Sequence, residues 1–228
     1  MLEVLPGAWI VIPAYRESAV LRNVVSELHA ICSQIIVVDD GSGDSTGLEA
    51  CAGGATVLTH VVNLGQGAAL QTGIDFALRQ GAEYIFTFDA DGQHTPESLA
   101  VLAEAQRSTC SDVVLGSRWL GRTEAMPRLR RLMLRLAVVF TRLHSGLGVS
   151  DTHNGLRLFT RQAALCLRIT QTRMAHASEI LAQISTSGLR FVEAPVTVRY
   201  TEYSLRKGQR VSGMFRILLD IFYARWSQ

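Results

Sequence analysis

Ala82–Glu97 reads AEYIFTFDADGQHTPE. The apolar run Tyr84–Phe88 ends in two carboxylates, Asp89 and Asp91, with Ala90 between them and a glycine turn after them. Side chains alternate faces along a strand, so the pair would point the same way if the strand ran that far. Two oxygen ligands at a strand end suit a hard divalent ion, Mg²⁺ or Mn²⁺, held jointly with a phosphate. A solvated turn after a buried strand could carry the same letters, so the surroundings decide between the two.

Upstream, Trp9–Pro13 (WIVIP) reads as a short strand ended by its proline, and a helix with Ser18 as its N-cap and a stripe of Val20, Leu21, Val24, Val25 and Leu28 follows. Gln34–Val38 (QIIVV) reads as a fully buried parallel strand that delivers Asp39, Asp40 and a glycine-rich loop. Val57–Val62 is a third strand, with Asn63, Gly65 and Gly67 leading into a helix over Ala68–Arg79. Downstream lie a helix over Glu97–Gln106 with Pro96 near its first turn, and a strand over Val113–Leu115 ending at Gly116, Ser117 and Arg118. Strand–helix alternation with near-continuous apolar strands predicts an α/β fold, a mostly parallel central sheet with helices on both faces. Ligands of such sheets bind beyond the carboxyl ends of the strands, where Asp39, Asp40, Asn63, Asp89, Asp91 and Arg118 all fall.

Beyond Arg118 the alternation breaks. Met126–Leu143 reads as an amphipathic helix: Leu129, Leu132, Met133 and Leu136 mark one side, and Arg128, Arg131, Arg135 and Arg142 another. Such a helix is either a core helix with a solvated basic face or one that rests on an anionic membrane surface. Helices near Arg161–Leu167 and Met174–Ser187 follow, then one or two strands within Leu189–Val198 with Pro195 at an edge or bulge. Thr201–Gln209 reads as a polar, flexible tail. The expected organisation is one domain over 1–210 and an amphipathic C-terminal helix over 211–228.

The formal net charge of +2 conceals a division. Residues 1–110 carry 13 acidic and 4 basic groups, and 111–228 carry 7 and 18, a balance of −9 against +11. Lys207 is the sole lysine. Arginine matches phosphate in a two-pronged fashion, which leans toward phosphate or lipid headgroups. With no aromatic-interleaved basic stripe and no nucleic-acid module, nucleic acid is not an expected partner. The scattered Cys32, Cys51, Cys110 and Cys166 offer no close pair for zinc and read as buried filler. No basic leader precedes an apolar core, and no apolar run is long enough to span a bilayer, so the chain is expected to be cytoplasmic.

As chemistry, the crevice asks for a donor with two phosphates. Asp89 and Asp91 hold the cation, and Asp40 accepts from a base N–H or a ribose hydroxyl. The stretch after the first strand, Pro13-Ala14-Tyr15-Arg16-Glu17, lacks the glycine fingerprint of a dinucleotide or ATP site.

The sequence resembles the family 2 inverting glycosyltransferases, and within them the polyprenyl-phosphate or dolichyl-phosphate sugar synthases. The resemblance rests on six elements in order: Ile10–Glu17, VVDDGSGDST at Val37–Thr46, NLGQGAALQTG at Asn63–Gly73, FDADGQHTPE at Phe88–Glu97, GSR at Gly116–Arg118, and DTHNGLRLF at Asp151–Phe159. It implies a single GT-A-type domain in which Pro13, Ala14, Tyr15, Glu17, Asp39, Asp40, Asn63, Gly65, Gly67, Asp89, Ala90, Asp91 and Gln93 form the nucleotide-sugar site. Asp89 and Asp91 are then the metal pair. Arg118 is implied to face the acceptor's phosphate, Asn154 and Arg157 to close the acceptor side, and Arg206 and Lys207 to sit near phosphate on a covering loop. Two departures touch substrate fit: Pro-Ala-Tyr-Arg-Glu for Pro-Thr-Tyr-Asn-Glu, and Asn-Gly-Leu-Arg for Ser-Gly-Phe-Arg.

The implied reaction is metal-dependent displacement at the anomeric carbon with inversion, onto a polyprenyl phosphate positioned by Arg118 and Arg157. Transfer to a saccharide hydroxyl in cell-surface polysaccharide assembly is the alternative. It would need a base, for which Glu179 is the candidate, with His176 on the same helix face. A non-catalytic membrane-peripheral scaffold with this fold is a third reading. The expected setting is the inner face of the cell membrane, with the amphipathic segments or a small integral-membrane partner making the contact.

Overall fold

The computed structural model describes residues 5–145, 148–171 and 175–207. The expected helix over 211–228 and the side chains of Arg206 and Lys207 lie outside the described residues. The first half is β1 (Ala8–Ala14), α1 (Leu21–His29), β2 (Ile35–Asp39), α2 (Thr46–Ala52), β3 (Thr56–Thr59), α3 (Gln66–Arg79), β4 (Tyr84–Thr87) and α4 (Glu97–Thr109). The second half is β5 (Val113–Glu124), α5 (Arg128–Ser145), β6 (Arg157–Thr160), α6 (Arg161–Cys166), α7 (His176–Ser187), β7 (Phe191–Arg199) and α8 (Glu202–Lys207).

The strands form one sheet in the order β3-β2-β1-β4-β6-β5-β7. All neighbours pair in parallel except β6, which runs against both β4 and β5. Alternation along the strands feeds two cores. Ile10, Ile12, Phe86 and Leu158 face α1 and α4 through Leu21, Val25, Leu28, Leu99 and Leu102. Val11, Ile36, Val38, Ile85 and Phe159 face α3, α6 and α7 through Leu70, Ile74, Ala163, Ile180 and Leu181. The expected α/β architecture, a mostly parallel sheet covered on both faces, is the observed one.

Several local expectations are corrected. β1 runs through Pro13 to Ala14, because the Ala14 carbonyl still accepts from the Asp40 N–H at 2.9 Å. α1 starts after Val20 with no side-chain cap, and the Ser18 hydroxyl instead donates to Asp44 Oδ2 at 3.1 Å. β3 stops at Thr59, leaving Val61 and Val62 exposed. β5 does not end at Leu115 but continues to Glu124, carried by pairing with β7 across a register shift between Ser117 and Arg122. Arg118 therefore sits inside a strand, and Pro195 pairs opposite Ser117 where that irregularity begins. Only Cys32 among the four cysteines is buried, and Cys51, Cys110 and Cys166 are exposed. Thr201–Gln209 is not a loose tail throughout, since α8 occupies Glu202–Lys207.

α5 corrects the reading of its own stripe. Met133, Leu134 and Val138 are buried, while Leu129 (55% exposed), Leu132 (55%) and Leu136 (51%) face outward, beside exposed Arg128, Arg131 and Arg135. No helix among the described residues is long and apolar enough to cross a membrane.

Candidate active site

Two loops beyond β1 and β2 are laced together. The Arg16 N–H donates to Ser42 Oγ at 2.9 Å and the Glu17 N–H to Thr46 Oγ1 at 2.9 Å. The Ser42 hydroxyl and N–H both donate to Asp39 Oδ1. This lacing holds Arg16 at φ 55°, uncommon for a side chain other than glycine, with its guanidinium 5.2 Å from the centre of the Tyr15 ring. Pro13, Ala14 and Asp39 meet across the β1–β2 register.

Asp40 was expected to meet a base or ribose, but its carboxylate is already engaged. His60 Nδ1 lies 2.7 Å from Oδ1, the Leu64 N–H donates to Oδ1 at 2.9 Å and the Gly65 N–H to Oδ2 at 2.7 Å. His60 Nε2 reaches Thr72 Oγ1 at 3.0 Å. Asp40 thus fastens the Asn63–Gly65 loop to β2 and opens α3. Gly67, at the start of α3, packs so closely on the Gln171 carbonyl and on His176 that no side chain would fit.

β4 ends at Thr87, so Asp89 and Asp91 stand in the turn beyond it rather than on one strand face. Asp89 is walled in. Gln66 Nε2 donates to its Oδ1 at 3.2 Å, His94 Nε2 lies 3.6 Å from its Oδ2, and a Cβ built on Gly155 would fall far inside contact distance of both oxygens. Thr87 Oγ1 donates to the Gly155 carbonyl at 2.6 Å, tying that glycine to β4. Asp91 Oδ1 accepts from the Gln93 N–H at 3.1 Å, and Ala90 is buried between the two aspartates.

The electrostatics of the pair are uneven. Burial alone would push the Asp89 carboxyl up, but His94, Arg157 and His176 together hold it below the ordinary value. Asp91 is pushed up to about 6 by burial and by the neighbouring carboxylates of Asp89 and Glu17. Crowded carboxylates that resist ionising together are a pair whose repulsion a divalent cation would relieve. Among the described residues no group of three or more His, Cys, Asp or Glu side chains is placed to hold a metal. Two carboxylates with phosphate and water completing the shell suit Mg²⁺, which keeps several waters and is usually bound through one or two carboxylates.

The side expected to take the acceptor comes from β5, the loop before β6, and the end of β7. Because β6 is antiparallel, Arg157 at its start pairs with Thr87 at the end of β4, and the Asp151–Leu156 loop opens onto the same end of the sheet as the aspartates. Arg118 is buried and held at all three nitrogens: Nε donates to Asp151 Oδ2 at 2.6 Å, Nη1 to the Tyr200 hydroxyl at 2.9 Å and Nη2 to the His153 carbonyl at 3.0 Å. Burial works against its charge, but Asp151 and Tyr200 raise its pKa further. Asn154 closes a turn, its Oδ1 accepting from the Leu156 N–H at 2.9 Å.

Arg157 differs from Arg118. The residue is 3% exposed and its guanidinium lies near Asp89 and Asp151, yet no side chain or carbonyl among the described residues accepts a hydrogen bond from it. Burial pulls it down to about 10, with Asp89 and Asp151 offsetting part of the loss.

Glu179, the candidate base, is occupied. Its carboxylate accepts from the Thr170 N–H and hydroxyl and from the Gln171 N–H, at 2.5 to 3.1 Å. His176 is buried at the start of α7, close enough to act on Asp89. On α8, the Tyr203 hydroxyl donates to Glu17 Oε2 at 2.7 Å, and burial together with Glu17 raises the tyrosine's pKa.

Sequence reasoning missed His60, His94, Gln66 and Tyr200. His94 alone carried a signal, standing within the aspartate motif. The others lie 20 to 82 residues from the partners they meet, with nothing local to mark them.

The profile of glycosyl transferase family 2 matches residues 9–168. A UDP-N-acetylglucosamine–dolichyl-phosphate N-acetylglucosaminyltransferase of Methanococcus voltae is 32% identical over 231 residues, covering 92% of this chain and 92% of that protein. A polyprenol monophosphomannose synthase of Mycolicibacterium smegmatis is 30% identical over 211 residues, covering 87% and 79%. Among solved structures, glucosyl-3-phosphoglycerate synthase from Mycobacterium tuberculosis, in complex with Mn²⁺, UDP-glucose and phosphoglyceric acid, superposes with a TM-score of 0.73 at 19% identity. That likeness covers 96% of this chain and 79% of that one, and is a likeness of GT-A fold.

Proposed function

The chain belongs to glycosyl transferase family 2, and from that premise we propose that it transfers a sugar from a nucleotide-diphosphate donor to a polyprenyl phosphate, with inversion. The observation that carries this reading is Arg157. Its guanidinium has no protein acceptor among the described residues and is held near Asp89 at the crevice, so its donors are left for an anion delivered there. A lipid phosphate supplies that anion and arrives ionised, so it needs no base. The occupied carboxylate of Glu179 is consistent with such an acceptor.

In the proposed step, an acceptor phosphate oxygen attacks the anomeric carbon as the bond to the donor diphosphate breaks on the opposite side. Arg157 aligns and neutralises the incoming phosphate, while the Tyr15–Glu17 and Asp39–Asp44 loops seat the nucleotide. A Mg²⁺ or Mn²⁺ ion held by Asp89 and Asp91 would supply charge neutralisation for the leaving diphosphate. Arg118 acts as a strut under the acceptor loop, its donors spent on Asp151, Tyr200 and His153. The outward leucines of α5 and their flanking arginines support peripheral docking on the anionic inner face of the cell membrane.

The test incubates the full chain with Mn²⁺, a panel of nucleotide sugars and polyprenyl phosphate, and follows lipid-linked sugar together with released nucleoside diphosphate. Turnover that is lost in Arg157→Met is the expected result. Turnover with a saccharide acceptor and none with the lipid phosphate would overturn the proposal.

A further inference from the structure

His94 is an expensive residue where it stands. Its side chain is 3% exposed, and its Nδ1 is the one buried side-chain polar atom among the described residues with no hydrogen-bond partner. Leaving a buried polar atom without a partner forfeits its hydration with nothing in exchange. The ring packs edge-on against Phe88, with centroids 5.8 Å apart, a contact that an apolar ring would make without that cost. The backbone holds it in place: His94 bridges Val198 of β7, and the Arg199 N–H donates to the Gln93 carbonyl at 2.8 Å.

What the imidazole adds over an apolar ring is its other nitrogen. Nε2 stands 3.6 Å from Asp89 Oδ2, too long for a hydrogen bond but well within the range at which charge and shape steer a carboxylate. Gln66 at Oδ1 and the bare Cα of Gly155 confine two further sides of Asp89, whose side chain keeps 29% exposure toward the crevice. Removing the imidazole would open one wall of this enclosure.

We propose that His94 is a positioning residue for the divalent cation: its Nε2 fixes the Asp89 carboxylate in the orientation that receives the ion, and so sets the affinity of the site for metal. This inference rests on the metal-dependent reading above and deepens it. Partners that orient a metal ligand typically change affinity by about tenfold to a hundredfold when removed.

The experiment titrates Mn²⁺ into the full chain and three variants, and separately measures nucleoside diphosphate binding without metal and the thermal midpoint. His94→Phe should bind Mn²⁺ about tenfold to a hundredfold more weakly, with unchanged metal-free nucleotide affinity and an equal or higher midpoint. His94→Gln, whose amide nitrogen reaches toward Asp89, should recover most of the affinity. His94→Asn, too short to reach, should not. Because the Gln and Asn variants differ by one methylene, their comparison decides the matter even if the Phe variant fails to fold. Equal Mn²⁺ affinity in Gln and Asn, or wild-type affinity in Phe, would overturn the proposal while leaving the family reading intact. A wild-type chain that binds no Mn²⁺ would overturn this proposal together with the metal-dependent reading it rests on.

Discussion

Asp91 sets a pH window that can be worked out by sign. Its carboxyl is raised from 3.8 to about 6, so between those values the folded protein holds a proton that the unfolded chain lacks. Metal-free stability therefore falls as pH rises from about 4 to about 6. Asp91→Asn should raise the metal-free melting temperature at pH 7 by a few degrees while abolishing the further rise that Mn²⁺ produces. For the wild type, apparent Mn²⁺ affinity should drop by up to about tenfold per unit below pH 6, read by calorimetry across pH 5 to 8. Gly155→Ala should also lose cation binding, because its methyl group would displace Asp89. That overpacking costs about 1–3 kcal/mol, measurable as a lower urea midpoint. The spacing of Asp89 and Asp91 was legible in the sequence, since it depends on neighbours in the chain. The occupation of Asp40 by His60 was not, because the partner arrives from the end of a different strand.

β1, β2, β4, α3 and α4 could be read almost in full, for each strand is a buried apolar run and each helix has a periodic stripe, whereas α2 was missed in the glycine-rich loop after β2 and β3 is only half-buried. β5 could not. Its second half, Trp119–Glu124, alternates exposed and half-buried residues and exists because β7 pairs with it. The same tertiary pairing places Arg118 in a strand and closes it against Asp151 and Tyr200, so two arginines that look equivalent in sequence divide the work. Arg118→Met leaves Asp151 as an unmatched buried charge and should cost about 3–5 kcal/mol in denaturant unfolding. Arg157→Met removes a cation whose charge burial disfavours and from which no described protein group accepts, so the chain should unfold at the same or a higher denaturant concentration while losing lipid-phosphate turnover. A reversal of these two stability effects would show that the roles have been assigned the wrong way round. α5 was legible as amphipathic, but periodicity could not say which apolar stripe faced inward, and Leu129, Leu132 and Leu136 turned out to be the outer one.

The uneven charge of the chain acquires a place in the fold. The acidic first half contributes the Asp89–Asp91 turn, and the arginine-rich second half contributes Arg157 and the exposed face of α5. Binding to anionic vesicles, read by flotation, should weaken with salt and be lost when Leu129, Leu132 and Leu136 are all changed to Ser, with a melting temperature close to that of the wild type. Salt-independent flotation, or flotation that survives the triple change, would remove α5 from the contact. The reversed direction of β6 carries a broader consequence. Since the loop entering that strand, rather than one leaving it, meets the aspartates, the stretch after residue 112 reaches Asp89 through Gly155 and the start of β6. On the proposed reading, selection of what is given and selection of what receives would then be written in consecutive blocks of the gene. A hybrid joined within α4, taking its front from one relative and its back from another, should inherit one parent's donor and the other parent's lipid.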